Sequence, residues 1–485
     1  MLDLFVIPKA LRGGKNMKTF IRRFRPWIRA GFYLWLAVSL IPAGAGAETL
    51  TLERALALAR ADNPALAEAG ARIAQARAVR DESRAAFWPQ LDVGLEYVRG
   101  DAPSAYLFKT IDARQLPEDV DFNNPGRFDN LETFLEARLN LFSGGRDKLR
   151  YEQAGVRLEQ ARSVHASVEN DLSAAVIDTF LALLSARDRV AIARQSTAVL
   201  EREVELAEVR YAGGSLLRSD LLSLAVRLAE ARSAQVRARG VEQRLQAALA
   251  VLLGRGAEAA FEPVGAAWDF SIPAAYSEAL ERALRQRPEL AAAAQEREVT
   301  RLEEAVVRAE FLPRLDLQAR LYHDDPDFAY DDDQINWTLG AQLRWNVFSG
   351  FATRARAARV SGQAQESRSA QRRLRQQVEL EVRQAWLTLD EARANQTLAE
   401  TAAAHAEQAF DQVRTQFSGG AVAVTRYLDA ELTLQRSRVN VAAANRDRQR
   451  ALAELARALG ELGPSQGAQG AQSSSTERTS DGQNP

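Results

Sequence analysis

The sequence contains no cysteine in 485 residues. This absence excludes disulfides, thiolate metal sites, cysteine catalysis and lipid attachment through an N-terminal cysteine. Histidine is almost as scarce, because His165, His323 and His405 are the only three and lie far apart in the sequence. They lack the grouping that catalysis needs. No phosphate-binding loop, dinucleotide fingerprint or nucleophile elbow occurs, so we expect neither an enzyme nor a bound cofactor.

Near the N-terminus, the apolar run from Gly31 to Ile41 is too short to span a bilayer. It follows a basic region and ends before Ala45-Gly46-Ala47, a pattern that predicts a secretory signal peptide over residues 1–47. A membrane anchor is the alternative. Met17, just before the basic region, is an alternative start. A secreted chain without disulfides fits a bacterial envelope better than an animal extracellular space.

The chain after residue 47 also has no excess of basic residues. Without the first 47 residues, which hold eight Lys or Arg and one Asp, the chain keeps 55 basic and 63 acidic residues, a net charge of about −8. That balance disfavours a nucleic-acid partner.

The chain does contain an internal duplication, which defines one copy at 48–254 and another at 255–460. Paired positions are 224 residues apart at first and 206 apart later. The difference places a longer loop in the first copy, between Pro89 and Asn140. The paired positions are Pro64 and Pro288, Pro89 and Pro313, Ser143-Gly144 and Ser349-Gly350, Gly213-Gly214 and Gly419-Gly420, and Leu253-Gly254 and Leu459-Gly460. The remaining residues, 461–485, are rich in Gly, Ser and Gln and are expected to be disordered.

Each copy begins with a helical pattern, which in the first copy runs from a cap at Thr51 to Ala86 and ends at Pro89. Two strand patterns follow in each copy. Apolar and polar residues alternate over 91–97 and 135–141, and again over 315–321 and 337–347, where tryptophans stand near both ends.

Strands of this kind suit a membrane barrel with apolar side chains toward lipid. Alternation alone is equally compatible with half-buried strands in a soluble sandwich. Four strands cannot close a barrel, so a barrel would need several copies of the chain.

Very long helices follow the strands. Proline is absent from Ser143 to Tyr211 and from Ser349 to Phe417, which predicts two helices of roughly 100 Å each. Each ends at a glycine pair, after which a return helix begins. The return helices carry heptad-spaced positions typical of helix-on-helix packing. These positions are Leu217, Leu221, Leu224 and Leu228 in the first copy, and Ala423, Tyr427, Ala430 and Leu434 in the second.

Charged residues lie just after the glycine pairs, at Asp220, Arg426 and Asp429. Around a pore they would form rings, and acidic rings favour cations and neutral solutes. For Asp220 an ordinary acid at a helix N-terminus is an alternative. A loop with Asp324, Asp325, Asp327 and Asp331 to Asp333 could hold a divalent cation, but it lacks the EF-hand spacing and is expected to be a solvated surface loop.

In this order, the local motifs resemble those of TolC-like outer-membrane efflux proteins. The motifs are "LTLERALALARADNPAL", "WPQLDVGLEY", "LNLFSGG", "RYAGGSLLRSDLL" and "GGAVAVTRYLDAE". The resemblance covers residues 48–460. It implies an α+β membrane protein built from a duplicated helix–strand–strand–helix–helix unit. Three chains would form a twelve-stranded outer-membrane β-barrel that continues into a long periplasmic α-helical barrel.

The resemblance also implies a function and partners. The protein would be the passive exit duct of a tripartite efflux or type I secretion system, in the outer membrane with a long periplasmic part. A periplasmic adaptor and an inner-membrane pump or ABC exporter would deliver the substrate. The long first loop slightly favours a protein-secretion or general-purpose duct over a lipid-anchored drug-efflux member. A non-transporting coiled-coil envelope spacer, a periplasmic adaptor and an envelope enzyme are alternative functions.

Two groups of candidate site residues follow from the resemblance. The first forms the periplasmic gate and adaptor-docking tips: Gly213, Gly214, Asp220, Phe417, Gly419, Gly420, Arg426 and Asp429. The second forms the barrel-to-tunnel junction, where the serines would cap the long helices: Pro89, Ser143, Gly144, Pro313, Ser349 and Gly350. At the second tip the family usually has an acidic residue where this chain has Arg426. An arginine important for closing some members aligns with Val422, and a tyrosine aligns with Phe417. We therefore expect Arg426 to pair with Asp220 of a neighbouring tip instead.

Overall fold

The computed structural model describes residues 48–265, 271–326 and 335–462. The predicted signal peptide and the predicted tail from residue 463 onward lie outside the described residues. So do Asp327 and Asp331 to Asp333 of the acidic loop.

The same order of elements occurs twice in the described chain. The first series is β1 (Glu48–Leu50), α1 (Leu52–Asp62), α2 (Pro64–Arg84), β2 (Gln90–Gly100), α3 (Pro103–Asp112), β3 (Phe128–Phe142), α4 (Arg146–Ala212) and α5 (Arg218–Leu252). The second is β4 (Phe261–Pro263), α6 (Tyr276–Gln286), α7 (Pro288–Ala309), β5 (Arg314–Asp325), β6 (Ile335–Arg344), α8 (Ala352–Ser418) and α9 (Val424–Leu459). Helix α3 and a 3-10 turn at Ala85–Phe87 have no counterpart among the described residues. Strand β1 pairs with β4 and so joins the beginnings of the two series.

The first helical segment is broken, although the sequence pattern predicts one continuous helix to Ala86. Thr51 does cap α1, since its hydroxyl accepts the Arg54 N–H at 3.2 Å. Helix α1 then ends because Pro64 cannot donate to the helical ladder. Asn63 caps α2 by accepting the Ala65 N–H at 2.8 Å, and its side-chain amide donates to the Leu252 carbonyl at 2.8 Å.

The long helices form as predicted. Helices α4 and α8 each have 67 residues, which corresponds to roughly 100 Å. Each packs against its return helix, so that α4 with α5 and α8 with α9 form two helical hairpins. The heptad-spaced positions predicted above, here called the seams, are largely buried. Leu224, Leu228, Tyr427 and Leu434 are buried. The first seam residue of each return helix is the N-cap residue and lies exposed at the tip. No described helix is both long enough and apolar enough to cross a membrane.

Two apolar clusters hold the middle of the hairpins against the short helices. In the first series, α4 contributes Val176 and Phe180, which pack with Leu249 and with Phe261 of β4. In the second series the corresponding cluster gathers side chains from α6, α8 and α9. The short strands and helices between the copies therefore lie partway along the long hairpins.

The four long strands form one antiparallel sheet in the order β2-β3-β5-β6. The burial of its two faces is the reverse of that in a soluble sheet. Val93, Leu339 and Leu343 lie on the apolar face and are exposed, Val93 by 79%. On the other face Glu132 and Glu136 are buried. In the described chain nothing covers the apolar face, so the soluble sandwich alternative is disfavoured.

Two details of the sheet differ from the sequence prediction. Strand β6 ends at Arg344, not at Val347, because its partner β5 begins at Arg314, directly after Pro313. Proline has no N–H to extend the ladder. The longer first loop, for which the sequence pattern predicts no helix, contains helix α3.

Candidate functional site at the hairpin tips and strand-to-helix junctions

The first junction turns β3 into α4. The Ser143 hydroxyl accepts the Asp147 N–H at 3.3 Å and contacts the Asp147 carboxylate at 2.5 Å. It thus satisfies one of the free amides of the first helical turn, as predicted, although the formal N-cap position is Gly145. Gly144 and Gly145 have φ of +71° and +81°, which other residues adopt only with strain.

The second junction repeats this geometry with one change. The Ser349 hydroxyl accepts the Thr353 N–H at 3.3 Å, and Gly350 has φ +62°. Phe351 then occupies the position of the second glycine, at φ +68°, and its ring packs edge-on against Phe348. A bulky residue in the left-handed region carries backbone strain.

The two junctions differ in how tightly the backbone is enclosed. A Cβ on Gly144 would come within 2.7 Å of the Ala309 carbonyl oxygen and 2.9 Å of Leu312 Cβ, whereas a Cβ on Gly350 would meet nothing within 4 Å. The turn at Gly144 therefore packs directly on the segment that leads through Pro313 into β5. Pro89 lies at the matching place before β2 and is exposed.

At both tips a glycine pair ends the long helix in the same way. Gly213 and Gly419 keep a negative φ, while Gly214 and Gly420 have φ of +72° and +74°. The residue after each pair donates its N–H back into the helix, from Ser215 to the Arg210 carbonyl at 2.9 Å and from Ala421 to the Gln416 carbonyl at 2.8 Å. These are glycine C-caps that let the chain reverse.

The predicted charged tip residues have no ion pair within the described chain. Arg426 and Asp429 are exposed, and Asp220 is half-buried. The structure therefore does not bring Arg426 and Asp220 together within one protomer. Their charges are available to groups outside it.

Phe417 is not free at the tip. Its ring stacks on Tyr427 at 4.9 Å between centroids and 23° between planes. The Arg210 guanidinium lies 5.8 Å from the same ring, so Phe417 touches both hairpins. Tyr427 also contacts the Phe410 ring and is fully buried. The two hairpins are thus joined near their tips by an aromatic cluster.

A buried ion pair, which sequence reasoning missed, lies behind this cluster. The Arg227 guanidinium on α5 contacts the Glu431 carboxylate on α9 at 3.1 Å. The Ser196 hydroxyl of α4 donates to the same carboxylate at 2.7 Å. The Arg227 and Glu431 side chains are 15% and 6% exposed. One charged contact therefore links return helices from different copies.

Burial raises the pKa of two acidic side chains near this cluster. Burial raises the pKa of the Glu203 carboxyl, although Arg210 and Arg414 oppose the shift. Burial also raises the pKa of Tyr427, and the nearby carboxylates Glu203 and Glu431 add to the effect. Both groups are therefore neutral over a wider pH range than usual.

The acidic loop differs from expectation where it is described. Asp324 and Asp325 are buried, not solvated, because Asp324 Oδ1 accepts hydrogen bonds from Lys109 and Asn130. No group of three or more His, Asp or Glu side chains in the described ranges could hold a metal ion.

An exposed apolar sheet joined to helical hairpins of this length is the architecture of an outer-membrane channel. Residues 55–255 and 279–461 match the family model described as outer membrane efflux protein, and the chain belongs to that family. It is accordingly an outer-membrane channel protein of efflux and secretion systems.

Individual relatives agree with this assignment. Over 340 residues the chain is 26% identical to the alkaline protease secretion protein AprF of Pseudomonas aeruginosa. The match covers 69% of this chain and 67% of AprF. It is 28% identical to protein CyaE of Bordetella pertussis over 335 residues, 67% of each chain. The crystal structure of the Campylobacter jejuni CmeC outer membrane channel has a TM-score of 0.76 at 14% identity, and the match covers 90% of this chain and 94% of CmeC.

Proposed function

We propose that three copies of this chain form one duct whose twelve strands close a single outer-membrane barrel. The inverted polarity of the sheet carries this proposal: its exposed face is apolar and its buried face is charged. Four strands cannot enclose a lumen, and β2 and β6 are edges without a partner in the described chain. Pairing β6 of one protomer with β2 of the next satisfies both requirements.

The long hairpins continue this duct into the periplasm. Since the sequence has no nucleotide-binding motif, energy and substrate come from an inner-membrane pump or ABC exporter through a periplasmic adaptor. The exposed glycine turns at Gly213-Gly214 and Gly419-Gly420 are the docking surface for that adaptor.

At the closed tip, Arg426 pairs with Asp220 of a neighbouring protomer. Both residues lack an ion pair within the described part of their own chain. Arg426→Ala would then raise single-channel conductance in planar bilayers and alter its salt dependence. Arg232→Ala is the matched control, because Arg232 already contacts Glu201 at 2.9 Å within the protomer. Equal conductance for Arg426→Ala and the wild type would contradict the pairing.

The favoured cargo is a secreted protein, since AprF is named for the secretion of alkaline protease. Deletion of the gene should remove one or more proteins from the culture medium. If it instead causes sensitivity to small toxic compounds without altering the secreted proteins, the cargo class is small molecules.

A biochemical test of the duct itself uses the purified protein. The proposal predicts extraction only by detergent, a trimer on gels that dissociates on heating, and channels in planar bilayers. A monomer that osmotic shock releases would contradict the duct and support the envelope spacer.

A further inference from the structure

Helix α3 lies over the polar face of the sheet, at the end away from the long helices. The Asp112 carboxylate accepts the Tyr322 hydroxyl at 3.3 Å, and the Asp112 carbonyl accepts the Asn336 amide at 2.9 Å. The Tyr106 ring packs edge-on against Phe128 at 6.4 Å. The three sheet residues all lie on the face that carries the buried carboxylates, and not on the exposed apolar face.

Lys109 binds α3 to that face. Its ammonium donates to the Glu132 carboxylate and, at 2.9 Å, to Asp324 Oδ1. Glu132 and Asp324 stand opposite each other on β3 and β5. Asn130 donates to the same Asp324 oxygen at 2.6 Å, and Asp324 is fully buried. Two carboxylates this close repel each other unless cations compensate them. Arg320 on β5 contacts Glu132, but Asp324 has no other ion pair within the described residues. Lys109 supplies the cation that bridges the two carboxylates, and it does so from outside the sheet.

The opposite side of α3 is apolar and uncovered. Phe108 is 65% exposed and Ile111 is 45% exposed, one turn apart on the helix. An insertion that only covered the sheet would be expected to expose polar residues there. In a barrel with the apolar sheet face toward lipid, α3 lies inside, and its apolar side faces the axis of the duct.

We propose that α3 is a constriction inside the outer mouth of the duct, bound to the barrel wall by Lys109 and lined by Phe108 and Ile111. The inference rests on the proposed trimeric duct, in which three copies of α3 surround one axis. An apolar ring at this place limits the passage of hydrated ions while the wall behind it stays polar. Lys109 is the positioning residue, and Phe108 sets the aperture.

The test is single-channel conductance of the full-length trimer in planar bilayers. Lys109→Gln removes the ammonium that bridges Glu132 and Asp324, while Arg320 still contacts Glu132. Helix α3 then loses its charged contact to Asp324 and is held less firmly on the wall, so conductance should rise at least ~1.5-fold. Lys109→Arg keeps the cation and should retain wild-type conductance. Phe108→Ala should also raise conductance while α3 stays bound, and it keeps the proposal testable if Lys109→Gln does not assemble.

The chain provides a matched control, since Lys109 and Lys148 are the only lysines after residue 47. Lys148 is 77% exposed and pairs only loosely with Glu152, at 3.8 Å. Lys148→Gln should leave conductance unchanged. In the wild type, an amine acylating reagent should modify Lys148 quickly and Lys109 slowly. Asp324→Asn should increase the reaction at Lys109.

The outcomes separate this inference from the proposed function. If the wild type forms no channel, the duct itself is wrong. If it forms channels, but Lys109→Gln and Phe108→Ala both leave conductance unchanged, the duct stands and the constriction is wrong. Equal acylation of the two lysines would likewise overturn the seating of α3.

Discussion

The sheet and the helical hairpins bury opposite kinds of side chain. In the hairpins, apolar seam residues such as Leu224 and Leu434 are buried and most charges are outside. In the sheet, Glu132 and Glu136 are buried while Leu339 and Val93 are exposed. Since burial follows the surroundings, one chain with two opposite patterns is built for two surroundings. The sheet fits lipid and the hairpins fit water.

In the hairpins, the largest expected effect comes from the buried ion pair between Arg227 and Glu431, which joins the two copies. Arg227→Ala leaves the Glu431 carboxylate buried without its cation, which costs about 3–5 kcal/mol. The measurement is hydrogen exchange in α5 and α9 near the tips. Arg232→Ala, at an exposed pair, should cost at most about 1 kcal/mol. Equal protection in both variants would show that the tips are not held by this contact.

In the sheet, the surroundings can be tested at two adjacent residues on opposite faces. If Leu339 faces lipid, Leu339→Arg costs about 2–4 kcal/mol, while Thr338→Arg on the polar face costs at most about 1 kcal/mol. Urea unfolding of the protein in lipid bilayers measures both. If Leu339 faces water, the two substitutions should have the same small effect.

Between the two regions, the junctions differ in packing. Gly144→Ala should destabilise by more than about 2 kcal/mol, because its Cβ would meet the Ala309 carbonyl in addition to the unfavourable φ. Gly350→Ala should cost only about 1 kcal/mol, because its Cβ meets open space. Thermal unfolding of the trimers gives the difference. A larger destabilisation by Gly350→Ala than by Gly144→Ala would contradict the tighter packing of the first junction.

The smallest expected effect is a pH response of opposite sign in two parts of the hairpins. Burial raises the pKa of Glu203 near the tip, so the folded tip binds a proton more readily than the unfolded chain. Acidification from neutrality toward pH 4.5 therefore stabilises the tip, and Glu203→Gln removes that gain.

Partway along the hairpins, burial of Glu381 is outweighed by the hydrogen bond that its carboxylate accepts from Arg287, and the pKa of Glu381 is lowered. That contribution is present above about pH 4.5 and is lost below it, as pH falls through the lowered pKa. Hydrogen exchange at pH 4 and 7 distinguishes the two regions. Parallel responses at the tip and the middle would contradict the assignment.

Much of the fold is readable from local sequence. Alternation gives the strands, the absence of proline gives the long helices, and the glycine pairs give the reversals at the tips. The serine contacts at the junctions also follow from local geometry. These features depend on neighbours within a few residues.

Other features depend on distant partners. The Arg227 to Glu431 contact needs the relative register of two return helices, which no local pattern fixes. The position of α3 on the sheet depends on Lys109, which meets carboxylates from two strands. Lys109 lies in an insertion that has no counterpart among the described residues of the second copy. The left-handed backbone at Phe351 is a feature that the residue type itself does not indicate. The matching glycine in the first copy was the available signal for a left-handed residue there.

The most direct test of the central claim is site-directed spin labelling along β6, residues 336–343, one position at a time. The absence of native cysteine makes each introduced thiol unique. With the apolar face in lipid, accessibility to oxygen should alternate with a period of two and be highest at 337, 339, 341 and 343, while accessibility to a water-soluble nickel reagent should be highest at the positions between. If the nickel reagent instead reaches 337, 339, 341 and 343 best, the apolar face is not in lipid and the sheet is not a membrane barrel wall.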